Sequence, residues 1–368
     1  MSEINSKLLN LEKTDYGSTA LILGQDPGLG DTIHKPHQDI WDLYKTLKSQ
    51  DWDENEWDYG TCRTEFQRDV GGMASMMIKQ LAWQWEADTT ASRSILGVFG
   101  PFISSSELYA AWTQVTQNEN VHWSTYSEIV RMAFDDPNTV LDEVTKNQAA
   151  LDRLTITGEV LSKTYDLSHK YALGMVENNQ ETYNQVMLGI AALYILERLQ
   201  FMASFAITFA ICEQDMFIPI GKAVQKIAMD EFEIHTELDR LIFKKELQTP
   251  RGKAFLETHR EFIGKMVDDA VAGEGEFLDY LHSEGESIPG VTRDMFFEWA
   301  LFNAKEIYGV FGAPAGYRLP ERNPLKFMES WLDLDSMQAA PMEEQNAQYR
   351  VNVMQRDDDD ADFDEFDF

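Results

Sequence analysis

Residues 186–212 read VMLGIAALYILERLQFMASFAITFAIC, a run whose charges are Glu197 and Arg198 alone. Such a run cannot be left against water, so it either crosses a bilayer or is buried on every side. An ionised side chain at a bilayer centre costs about 2.5–3.5 kcal/mol on insertion scales. Neither flank is strongly basic. A helix deep inside a large helical protein is therefore expected, with no membrane as partner. A helix that is apolar all round needs neighbours all round.

The rest of the 368 residues can supply them. Glycine and proline gather at 23–36, 59–72, 97–101, 249–252, 273–289 and 312–325, and between them apolar residues recur at three- and four-residue spacing. That pattern predicts helices near 37–50, 62–90, 103–132, 138–175, 180–212, 219–247, 252–284 and 291–311. Ser104–Ser106 followed by Glu107 supplies capping hydroxyls and a negative charge at a helix start. Asp135-Asp136-Pro137 marks a break followed by a new helix. No run of evenly spaced short strands is present, and no glycine-rich phosphate loop: Gly71-Gly72 lacks the Lys-Ser/Thr, Gly28-Leu29-Gly30 the third glycine. The expected fold class is all-α, a large bundle.

Composition narrows the function. With 63 acidic against 31 basic side chains and a net charge of −32, a nucleic-acid backbone is not expected as a partner. Two cysteines, Cys62 and Cys212, cannot build a disulfide framework, and MSEINSKLLNLEK has no apolar run suited to a signal peptide. A reducing, cytoplasmic location is expected. Three segments follow: an extended N-terminal piece (1–35), a helical domain (36–340) and a flexible tail (341–368). The last twelve residues, DDDDADFDEFDF, hold eight acids with Phe363, Phe366 and Phe368. They cannot fold alone. They serve either as a solubilising end or as a docking peptide that orders on a partner.

Acid-x-x-His pairs are frequent in so acidic a chain, so pairs on apolar helices carry the weight. A buried carboxylate costs several kcal/mol unless a cation, donor or metal answers it. Glu197 shares a helical face with Phe201 and Phe205. Glu231 and His235 lie four apart, Glu119 and His122 three apart, and Asp88 adds another acid. Taken singly, Glu197 could be an ion-pair partner and His235 a core histidine. Together the six give four helices a carboxylate each and two of them an imidazole, the ligand supply of a dinuclear carboxylate site in a four-helix bundle. Oxygen-rich ligands with two imidazoles suit iron or manganese. Tyr126, one turn after His122, is either a packed core residue or a one-electron donor beside the metals. His34, His37, His169, His259 and His282 are expected at the surface or at helix caps.

These residues, in this order, resemble the small, radical-generating subunit of class I ribonucleotide reductase. The resemblance is densest in ELYAAWTQVTQNENVHWSTYSEIVRMAFDDP, LERLQFMASFAITFA and IAMDEFEIH, and continues through NPLKFMESWL to the tail. It implies a ferritin-like bundle with extra helices, two iron ions per chain (or manganese), and a disordered acidic tail. The metal ligands would be Asp88, Glu119, His122, Glu197, Glu231 and His235. Tyr126 would bear the radical, in a pocket matched by Phe201, Phe205 and Ile227. The segment DWDENEWD resembles the family's Trp-x-x-x-Glu-hydrophobic-Asp stretch, which makes Trp52 the redox-active tryptophan and Asp230 its link to His122. Tyr349 and Glu343 match the tail residues that relay the radical. The last residues match the peptide that docks on the large catalytic subunit, and a homodimer is implied. One departure stands out: the family pattern is Glu-x-x-His, whereas Glu231 and His235 have three residues between them. Either a π-bulge absorbs the extra residue or an i,i+4 pair converges directly. A di-iron oxygenase or oxidase and a ferritin-like metal-storage protein are the competing readings.

Overall fold

The computed structural model describes residues 33–333 throughout, together with residues 9, 20–25, 29 and 30. Thirteen α-helices follow in order among the described residues: α1 (Gln38–Ser49), α2 (Arg63–Arg68), α3 (Met73–Ser94), α4 (Ser106–Ala133), α5 (Pro137–Val144), α6 (Gln148–Ala172), α7 (Gln180–Ile195), α8 (Met202–Cys212), α9 (Ile218–Met229), α10 (Thr236–Glu246), α11 (Pro250–Leu281), α12 (Arg293–Phe311) and α13 (Phe327–Trp331). No β-strand occurs among them beyond isolated bridges. The all-α expectation holds.

Two expected helices are each divided. The span 62–90 breaks at Asp69–Gly72, where Asp69, Gly71 and Gly72 adopt φ of 41°, 64° and 76°. A side chain at Gly72 would strike Glu286 Cγ at 2.6 Å, so its glycine is required twice over, by conformation and by approach. The span 138–175 breaks before Asn147, whose side chain caps α6 by accepting from the Ala150 amide. Two of the longer helices start on a capping side chain. Ser105 accepts from Leu108 N to open α4, and Thr292 from Met295 N to open α12.

The apolar run forms one continuous 33-residue helix, Gln180–Cys212, buried along its whole hydrophobic window. It is α7 and α8 joined by a wide π turn, Leu196–Phe201. A second π turn, Asp230–His235, joins α9 to α10. Helix α3 packs along α4 and against α8, and α8 packs on α9, while α6, α10, α11 and α12 pack against α7. Two apolar masses result. Ile195, Leu199, Ile234 and Leu238 belong to one, and Leu196, Phe201, Ile227 and Tyr126 to the other. Each fully buried aliphatic or aromatic side chain contributes about 1.5–3 kcal/mol. The π turns lie on the seam between the two masses.

A fully buried charged pair sits in this interior. Arg153 of α6 donates to both carboxylate oxygens of Glu274 of α11, at 2.7 and 2.6 Å, and to the Gln200 carbonyl at 2.8 Å. Its guanidinium lies 3.6 Å from the Trp83 ring centre and 4.4 Å from that of Phe277. Cys62 and Cys212 are buried and unbridged, and burial pushes the Cys62 thiol up to about 12. His37, expected at the surface or a cap, sits at the N-cap of α1 and is buried.

Candidate metal centre

Four helical segments meet at the seam and each sends in carboxylates. Asp88 comes from α3, Glu119 and His122 from α4, Glu197 from the first π turn, Glu231 and His235 from the second. All six are at most 1% exposed. They form two overlapping quartets. Asp88, Glu119, His122 and Glu231 offer ligand atoms within 4.8 Å of one another, as do Glu119, Glu197, Glu231 and His235. Glu119 and Glu231 belong to both. The structure thus brings together every residue the sequence singled out as a ligand.

The second π turn explains the odd spacing. The Thr236 amide and hydroxyl both reach the Glu231 carbonyl, the hydroxyl at 2.6 Å. That i→i+5 closure widens the turn by one residue, so Glu231 and His235 share the inward face while Phe232 and Glu233 stay at its edge. His235 Nδ1 stands 3.3 Å from Glu231 and 3.5 Å from Glu119. His122 Nδ1 stands 3.4 Å from Glu231 and 3.6 Å from Glu119.

The chemistry of these groups calls for cations. Both oxygens of Asp88, Glu119 and Glu231, one of Glu197, Nδ1 of His122 and both ring nitrogens of His235 are buried without a hydrogen bond among the described residues. Each would be costly in a finished apolar core. Burial and the neighbouring Glu119 push the Asp88 carboxyl well above its usual range. Burial and Asp239 do the same to Glu197. Burial would also raise Glu231, but His235 and His122 outweigh it and hold that acid near 2. Burial alone would lower His235, yet Glu231 and Glu119 lift it to about 10. Protons and imidazolium charge here do the work that cations would do. Four carboxylates balance the charge of two divalent ions if the imidazoles are neutral, so the residues fit a dinuclear centre.

Outside the ligands lies an ordering shell. Asp230 Oδ2 accepts from Trp52 Nε1 at 2.8 Å and from Asn118 Nδ2 at 3.0 Å, and lies 3.2 Å from His122 Nε2. The contact assigns the proton to Nε2 and turns His122 Nδ1 toward the carboxylates. The Trp52 and His122 rings stack with centroids 6.1 Å apart, and those of His122 and His235 lie 5.8 Å apart. Tyr126 is fully buried in one apolar cluster with Phe201, Phe205 and Ile227. Its hydroxyl makes no hydrogen bond among the described residues, and burial, then Asp88, push the phenol well above its ordinary range. Tyr349 and Glu343 lie outside the described residues, as does the acidic tail.

Three contributors were not singled out from sequence. Asp239, one turn past His235, is buried beside Glu197, and burial raises it to about 8. An acid between Leu238 and Leu241 on the face of His235 was the available signal. Asn118 orders Asp230, and Gln84 lies fully buried one turn before Asp88, its amide without a hydrogen bond among the described residues.

Residues 33–324 match the family model described as ribonucleotide reductase, small chain. The chain is 25% identical over 354 residues to a ribonucleoside-diphosphate reductase 1 subunit beta of Salmonella typhimurium, covering 89% of this chain and 92% of that one. It is 22% identical over 382 residues to the corresponding beta subunit of Enterobacteria phage T4, covering 96% and 97%. Among solved structures, the ribonucleotide reductase R2 subunit from Clostridium botulinum superposes with a TM-score of 0.75 at 18% identity, over 86% of this chain and 94% of that one. A dimanganese(II) NrdF from Streptococcus sanguinis superposes with a TM-score of 0.62 at 13% identity, over 83% and 99%.

Proposed function

The chain belongs to the ribonucleotide reductase small-chain family, and from that footing we propose that it is the radical-generating subunit of a ribonucleoside-diphosphate reductase. The observation that carries the reading is the pair of overlapping ligand quartets sharing Glu119 and Glu231. Asp88 and His122 would hold one ion and Glu197 and His235 the other, with the two shared acids serving both. Iron is the metal we assign, two ions per chain, with manganese the alternative that the same hard ligands accept. When bound and exposed to dioxygen, such a pair supplies the oxidising power to take one electron from a nearby phenol.

The chain's own residues do the rest. Tyr126 gives up the electron and its Oη proton, for which the Asp88 carboxylate is the adjacent acceptor. Phe201, Phe205 and Ile227 keep water and reductants from the resulting ring radical. Asp230 holds His122 and Trp52 in fixed relation, and the stacked rings give a route out of the site. Tyr349 and Glu343 would carry the radical onward, and the Phe-rich acidic end would dock on the large subunit that binds nucleotide. We place the assembly in the cytoplasm, as a homodimer paired with that subunit.

Electron paramagnetic resonance on metal-reconstituted, air-exposed protein tests this. Tyr126→Phe should fold, bind metal at wild-type stoichiometry and give no tyrosyl signal; an unchanged signal would overturn the assignment. Removing residues 357–368 should leave the signal intact and abolish reductase activity with a large subunit.

A further inference from the structure

We propose that Trp57 is the surface terminal of the Trp52 path, the indole through which a cationic one-electron donor reaches the metal centre. The inference rests on the reading above and adds a residue to it. In the Trp-x-x-x-Glu-hydrophobic-Asp stretch, this chain fills the apolar position with a second tryptophan. The Trp57 ring meets Trp52 edge to face, centroids 6.1 Å apart and planes at 66°. That is a contact distance for aromatic pairs. Trp52 is buried, whereas Trp57 is only half-buried and packs on the same apolar cluster. Three aromatic rings, Trp57, Trp52 and His122, therefore run from the solvent boundary to a ligand imidazole. Electron transfer slows steeply with separation, so touching rings pass a charge far faster than one jump across the same span.

The surroundings choose the sign of the donor. Asp51, Asp53, Glu54, Glu56 and Asp58 flank the two indoles within eight residues of chain, and all but Glu54 are exposed. Gln114 donates to Asp51, and Lys48 offsets part of one charge. The remaining field attracts cations and repels anions, an effect that salt weakens.

The step balances simply. Once an electron has been drawn inward from Trp52, the Trp52 radical cation takes one from Trp57. The Trp57 radical cation then takes one from the donor, which leaves oxidised by one electron. No proton need move, because Trp52 keeps its N–H on Asp230 throughout.

The test is stopped-flow mixing of the ferrous-loaded full chain with oxygenated buffer, following the visible absorption of an indole radical cation. In wild type its decay should quicken with hexaammineruthenium(II), and ferrocyanide should act about tenfold more slowly at low salt. In Trp57→Phe the donor-dependent rate should fall about tenfold while the donor-free decay is unchanged, and Trp57→Tyr should recover part of it. Glu54→Gln combined with Glu56→Gln keeps the indole and should lose the preference for the cationic donor. Circular dichroism verifies folding of each variant. A Trp57→Phe protein that accepts electrons at the wild-type rate overturns the relay, as does a wild type with a Tyr126 radical but no donor-dependent decay. Absence of both signals from wild type overturns the family-based reading itself.

Discussion

The π turn Leu196–Phe201 faces two buried charge clusters, and they are built on opposite principles. On one side Gln200 exchanges hydrogen bonds with Arg153, which is paired through two parallel contacts to Glu274 and stacked on Trp83 and Phe277. Among the described residues, Arg153 Nη1 is the one polar atom of that ion pair left without a hydrogen bond. On the other side Glu197 joins acids and imidazoles whose ligand atoms are nearly all unanswered. The first cluster is charge-balanced and all but satisfied within the polypeptide. The second is complete only when something cationic is added. Burial by itself therefore separates nothing; what distinguishes a binding site from a structural pair is which atoms remain unsatisfied after the chain has folded.

That contrast can be broken at either end. The largest effect is expected from Glu231→Ala, which removes an acid common to both quartets: metal bound after gel filtration should fall from two ions per chain to none. Two ions retained would place the ligands elsewhere. Glu274→Ala should behave oppositely. It strands a buried guanidinium and should cost about 3–5 kcal/mol in urea unfolding of the metal-free protein, with metal stoichiometry unaltered in the folded fraction. A loss below about 1 kcal/mol would mean that the Arg153 pair is not the closed unit described. Metal itself should stabilise by about 2.7 kcal/mol per bound ion when free metal is a hundredfold above its dissociation constant, and a chelator should remove that gain.

The pH dependence sharpens the same comparison. Folding raises His235 from 6.5 to about 10 and Asp239 from 3.8 to about 8. In both cases the folded state holds the proton longer than the unfolded chain does. The contribution is whole below the unfolded pKa and disappears as pH climbs through the folded one. Metal-free protein should accordingly show a falling Tm between about pH 6 and about pH 9, and metal-loaded protein a flatter profile. A rising Tm without metal would contradict the assignment of these shifts. The smallest effect is expected at Gln84, whose amide has no hydrogen bond among the described residues. Gln84→Leu should stay within about 1 kcal/mol of wild type or exceed it.

Much of this was legible in the sequence, for a physical reason. Glu197 announced itself because a charge in an apolar run has to be answered, and the same logic exposed Glu231, His235 and the Glu119/His122 pair. The helix breaks at Asp69–Gly72 and before Asn147 were hidden by apolar periodicity that continues on both sides of them. The π turn was left open between two geometries, because three intervening residues fit either one, and the Thr236 contacts to the Glu231 carbonyl settle it. Asp239 and Asn118 went unnoticed because acids and amides are too common here for one more to stand out. Only their place beside Glu197 and Asp230 marks them.

The wide turn at Asp230–His235 also determines how much evolution can vary here. Because the widened turn takes up its additional residue locally, deleting one residue between Glu231 and His235 would restore regular α-geometry there and leave the helix beyond in register. Leu238, Ile242 and Phe243, now pressed into the core, would keep their neighbours. The metal-binding face can therefore be lengthened or shortened by a residue without disturbing the core below it, which leaves the spacing of this ligand pair free to drift while the fold stays put.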